Sequence, residues 1–129
     1  MRAERSRFPI QPVRDIEAKV VQQTGCPGMV AIVTVDFEPL SQRGYEFEVA
    51  SGLRVSGLGG FDAVSLAFLT ALDDGIRGEL AEDEHNVDAA VRVLLREVKV
   101  HPVDSSEHAF RAAGRKAVHL ALRRSAGRE

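Results

Sequence analysis

His101, Asp104, Ser105 and Ser106 crowd an imidazole, a carboxylate and two hydroxyls into six consecutive positions. Those are the ingredients of acyl transfer, which needs a nucleophile, a base within hydrogen-bond reach and a third group to orient that base. The local pattern points elsewhere. Asp104 stands just before an apolar helical repeat, where a carboxylate accepts from the free N–H groups of a first helical turn. Glu107 follows three residues later, the spacing of a capping box, and both charges suit the positive end of the helix dipole. With Asp104 and Glu107 used as a cap, no orienting group is left, and no Gly-x-Ser-x-Gly elbow occurs in the chain. No catalytic residues are expected.

Two other chemistries fail on spacing. A phosphate loop needs Lys and Ser or Thr after its glycines, whereas Gly57-Leu58-Gly59-Gly60 leads into Phe61 and Asp62. No nucleotide is expected. His108 and His119 could share a helix face, but eleven residues separate them by about 16 Å along the axis, too far for one ion. His85 sits in an acidic stretch without a ligand pattern, so no metal and no cofactor are expected.

The elements that position these residues follow from periodicity. Phe110, Ala113, Ala117 and Ala121 recur at helical spacing, so residues 104–124 read as a helix with a small-residue packing face. Residues 15–22, 29–38 and 45–49 alternate as strands, and the short link after Pro39 favours an antiparallel hairpin between the last two. Residues 61–81 read as a helix. A fourth strand runs from Val91 to Val100, with a parity change at Val98 that signals a bulge. Thr24 to Gly28 is a turn on its Gly and Pro content. Residues 1–13 read as a basic arm that Pro9 and Pro12 keep irregular, residues 14–125 as the domain, and residues 126–129 as a tail. The order β-β-β-α-β-α is that of an α+β two-layer sandwich, a four-stranded sheet with two helices on one face.

Bulk composition sets limits. At 129 residues and 44% hydrophobic, the chain fits one domain. A net charge of −2 argues against a strong autonomous nucleic-acid binder. The charge is uneven: residues 73–88 hold seven acids against Arg77 alone, while both termini are basic. The single cysteine, Cys26, cannot form an internal disulfide, which fits a reducing cytoplasm. No apolar run is long enough for a membrane span.

The run His101-Pro102-Val103-Asp104-Ser105-Ser106-Glu107-His108-Ala109-Phe110 closely resembles the His-x-Val-Asp-Ser-Ser-Glu-x-Ala-Phe segment of elongation factor G domain IV and related translational GTPases. Earlier pieces match in order: Pro12-Val13, Glu17 to Gly25, Asp36-Phe37-Glu38-Pro39-Leu40, Gly44-Tyr45-Glu46-Phe47 and Asp74-Gly75-Ile76. Cys26-Pro27-Gly28-Met29 departs from the family's glycine-rich turn, and its Gly-Gly-x-Ile-Pro segment is not recognisable in residues 51–60. The resemblance implies a left-handed βαβ crossover, as in the ribosomal protein S5 domain 2-like fold. It also implies a non-enzymatic, stand-alone domain that binds the ribosome or another structured RNA. A protein-interaction role on the same fold, with a separate protein partner, is the alternative. On the family's pattern, Ser41, Gln42 and Arg43 form one tip loop and His101, Pro102 and Val103 another at the same end, with basic arm residues as further contacts.

Overall fold

The computed structural model describes residues 5–22 and 28–127; of the turn expected over 24–28, only Gly28 lies among them. The described elements are β1 (Ser6–Phe8), β2 (Val13–Gln22), β3 (Met29–Pro39), β4 (Gly44–Gly57), α1 (Leu66–Leu80), β5 (Val87–Val100) and α2 (Glu107–Ser125). The fold is the expected α+β sandwich, one mixed sheet with both helices on one face.

β5 is the central strand. Its sequence is rich in Val and Leu, and alternate side chains from Val91 to Leu95 are fully buried. β3 pairs with one edge antiparallel and β4 with the other in parallel; the short β1 pairs parallel with the start of β5. β2 completes the sheet beyond β3. The expected β3–β4 hairpin is therefore not formed. Pro39 pairs with Val91 on one edge of β5 and Gly44 with Ala90 on the other. The link 40–43 thus crosses near the start of β5 and spans two strand spacings, roughly 10 Å. A short loop is compatible with this as well as with a hairpin, and the apolar character of β5 decides for the insertion.

Residues 6–8 are not an irregular arm. Ser6, Arg7 and Phe8 add a fifth strand opposite Val87, Asp88 and Ala89, and Phe8 packs edge-on against Phe37 with ring centroids 5.8 Å apart. Pro9 and Pro12 end this strand without preventing it. α1 starts at Leu66, later than the expected 61, because Ser65 is its N-cap and accepts from the Phe68 N–H at 3.2 Å.

The expected bulge is present. The β3–β5 register shifts between Thr34 opposite Glu97 and Val35 opposite Leu95, leaving Arg96 as the extra residue. Its guanidinium reaches the buried Asp36 carboxylate at 3.0 Å. The other Asp36 oxygen accepts from the Asp15 N–H at 2.9 Å. Asp15 has φ +57° and lies in the β2 register shift. One carboxylate thus fixes irregularities in two neighbouring strands.

The helices meet backbone to backbone. A Cβ on Gly75 of α1 would lie 2.2 Å from the Arg111 carbonyl oxygen, and one on Gly114 of α2 would lie 2.5 Å from that of Leu72. This approach lets Ala113, Ala117 and Ala121 bury a small-residue face fully. Phe110 stacks on Phe68 at 4.8 Å between centroids; burying a ring of this size contributes about 1.5–3 kcal/mol. β4 is tied to α1 by Tyr45, whose hydroxyl donates to Asp73 at 2.7 Å while Arg77 lies 4.8 Å over its ring.

Gly75→Ala and Gly114→Ala should each destabilise the protein by about 1–3 kcal/mol, the usual cost of overpacking. Gly78→Ala, in the same helix but with open space around its Cβ, should stabilise it by about 0.5–1 kcal/mol through helix propensity. Urea midpoints of the three variants check both signs.

Candidate functional site

β5 ends at Val100, and the next six residues form a tight turn into α2. The Val30 N–H donates to the Asp104 carbonyl at 2.9 Å, fixing the turn to the start of β3. The Ser105 hydroxyl donates to the Val30 carbonyl at 2.7 Å and accepts from the His101 N–H at 2.8 Å. His101 Nδ1 accepts from the N–H groups of Val103 at 3.2 Å and Asp104 at 3.0 Å. That ring nitrogen therefore carries a lone pair, which assigns the ring proton to Nε2. Val103 projects from the turn, 80% exposed. A Cβ on Gly28 would fall 2.6 Å from Asp104 Oδ1, so a side chain there would displace the Asp104 carboxylate.

The cap is Ser106, not Asp104. Helix α2 begins at Glu107, and the Ser106 hydroxyl accepts from the Ala109 N–H at 3.1 Å. Asp104 is two residues too early because the Ser105 and His101 hydrogen bonds complete a separate turn first. Glu107 is the first helical residue, so it serves the helix dipole and makes no capping box with Asp104. The same bonds separate the groups that suggested acyl transfer. The Ser105 hydroxyl proton goes to a backbone carbonyl and the imidazole lone pair to backbone donors.

Ser41, Gln42 and Arg43 do not join this tip. They are exposed at the opposite end of the sheet, beside Asp88 and Ala90. Eleven positions of β5 separate Ala90 from His101, roughly 36 Å at an extended rise. Arg43 lies 3.7 Å from Asp88. The arm residues are also at that far end: Arg7 donates to the carbonyls of Leu40 and Ser41, and Arg5 pairs with Asp83 at 2.8 Å. The resemblance placed both loops at one end; here the 40–43 link passes the start of β5, while His101 follows its end.

A second constellation escaped the sequence reading. Glu79 on α1, His85 in the 3-10 turn Asp83–His85, and His119 on α2 present ligand atoms within 4.8 Å of one another. Glu79 Oε2 is 2.6 Å from His85 Nε2 and 2.8 Å from His119 Nε2. Burial acts to raise the Glu79 pKa, but the hydrogen bonds to the two imidazoles outweigh it and hold the carboxyl below its ordinary value. On sequence His119 pairs only with His108 and His85 stands alone, and their separation along the chain hides the grouping. The available signal was Glu79 itself, an acid at an apolar-face position of α1.

With this geometry in view, the comparisons decide the family. Residues 9–126 match the family described as "Elongation factor G, domain IV". The chain belongs to that family. Elongation factor G of Dehalococcoides mccartyi is 34% identical over 111 residues, which are 82% of this chain and 15% of that protein. A solved structure from Thermus thermophilus is similar with a TM-score of 0.58 and 21% identity, covering 84% of this chain and 16% of that one; at that identity the likeness shows the fold alone. The chain thus spans a small fraction of the length of these relatives. Within this elongation factor G domain IV fold, the matching Val-Asp-Ser-Ser-Glu segment is the turn and cap at the end of β5. Among the described residues, no helix is long and apolar enough to cross a membrane.

Ser106→Ala should lower stability by about 1 kcal/mol, whereas Ser106→Asp, which keeps an acceptor and adds a favourable charge at the helix start, should not. Chemical denaturation of both variants checks the assignment of the cap.

Proposed function

We propose that this chain contacts the ribosome, or a comparably structured RNA surface, through the tip after β5, and does so without catalysis. The observation that carries this reading is the His101 turn. Its backbone and Ser105 bonds hold the loop rigid, the Nδ1 contacts leave Nε2–H as the ring's donor, and Val103 stands exposed beside it. A rigid donor next to an apolar projection suits a base or phosphate edge in folded RNA. Family membership supports a place in translation, in a cytoplasmic setting.

One observation favours a second reading, a protein-interaction module on the same fold. The sheet face opposite the helices carries arginines already matched to acids: Arg14 with Glu38, Arg96 with Asp36, Arg54 with Glu97 and Arg92 with Glu48. Those arginines add little net attraction for phosphates.

Sedimentation with ribosomal subunits across a salt series separates the readings. A contact made by a neutral donor and an apolar side chain displaces few counterions, so association should weaken only modestly as salt rises. His101→Asn keeps an acceptor where Nδ1 stands but removes the Nε2 donor, so it should fold normally and bind weakly. Arg43→Ala, at the far end, should bind like the parent protein. Absence of sedimentation at low salt, or loss only with Arg43→Ala, would favour the protein-interaction reading.

A further inference from the structure

We infer that Glu79, His85 and His119 form a binding site for one first-row divalent cation, with zinc the best match. Two imidazole nitrogens and a carboxylate oxygen are a common zinc donor set, with three protein ligands and one position left open. The three donors come from α1, the 3-10 turn after it and α2, so folding brings them together before any ion arrives. Glu79 is one of two buried charged side chains among the described residues, at 8% exposure, and both imidazoles converge on a single one of its oxygens. The His85 side chain is 13% exposed and that of His119 is 50% exposed. This arrangement combines two enclosed ligands with one whose ring is open to solvent on one side.

The distances fit insertion. Ligand atoms around tetrahedral zinc lie about 3.3 Å apart for bonds near 2.0–2.1 Å. The two Glu79 separations of 2.6 and 2.8 Å need to open by about half an ångström, and the two imidazole nitrogens, within 4.8 Å of each other, need to settle at the same spacing; a swing of the half-exposed His119 ring supplies both. In the metal-free state each Nε2 hydrogen-bonds to the carboxylate; in the bound state each presents a lone pair instead. Protons compete with the cation for these nitrogens, so affinity must fall as pH is lowered. The open position faces a groove of about 300 Å³ lined by His85, His119, Leu122 and Arg123. An adjoining groove adds Arg115 and Lys116 alongside Glu84. With those cations around it, the fourth ligand should be an anion or a hydroxide rather than a neutral donor. Zinc bound here would clamp α1, the turn and α2 together.

The test uses the full chain without a histidine tag, stripped with chelator and titrated with cobalt(II), whose visible bands report coordination, and then with zinc in competition. The parent protein should bind one cobalt with the intense bands of a low-coordinate site, and zinc should displace it. Zinc should also raise the thermal midpoint. His119→Ala, a change on the surface of α2, should weaken binding by at least about 100-fold, the upper end of the effect of losing even an outer-shell partner. His85→Ala should do the same. His108→Ala, exposed on α2 and away from the cluster, should bind like the parent. A parent protein with no cobalt bands and no zinc-dependent midpoint shift would overturn the site. So would undiminished binding by folded His119→Ala.

Discussion

The close approach of α1 and α2 at Gly75 and Gly114 is the constraint on which the remaining geometry depends. With a side chain at either position the helix axes would separate, and the alanine face of α2 would no longer fill the space over the sheet. The same crossing places Glu79, one turn beyond Gly75, against His119, just beyond Gly114. It also orients the start of α2, where Ser106 caps the helix and the His101 turn hands over from β5. The packing of two glycines therefore reaches both the buried cluster and the tip, although neither glycine belongs to either.

The sheet adds a second level of control. β5 pairs on both edges, and irregularities in the two strands that flank β3 converge on Asp36, which engages Arg96 from the β5 bulge and the Asp15 N–H from β2. Fixing these two points sets the twist and register with which β3 and β5 deliver their ends to the turn at residues 101–106. At that end Val30, Asp104 and Ser105 form a staple of backbone and hydroxyl bonds. Most of the Val-Asp-Ser-Ser-Glu segment is thus explained by folding. What folding leaves unused is the Nε2 side of His101 and the exposed Val103.

Much of this was legible in the sequence because it is local. Alternation at Met29 to Phe37 and the helical repeat from Phe110 to Ala121 follow from which face is buried, and the parity change before Val98 marks the bulge at Arg96. The cap was misplaced by two residues because Asp104 and Ser106 are both good caps in isolation; a tertiary bond from Val30 selects between them. Strand order was not local. A four-residue link says how far the chain travels, not whether another strand enters between its ends. The Glu79, His85 and His119 grouping depends on the helix crossing and has no spacing signature.

Under the proposed function, RNA would be met at the end of the sheet that carries His101, not at the end that carries Arg43. At the far end, the basic side chains of Arg5, Arg7 and Arg43 face Asp83, Asp88 and backbone carbonyls, and so stitch the fold together. The most direct measurement places a photoreactive benzoylphenylalanine at position 103 or at position 42 and irradiates each protein with ribosomes. The account predicts a cross-link to ribosomal RNA from position 103 and none from position 42. A cross-link to RNA from position 42 alone, or only protein cross-links from position 103, would contradict it.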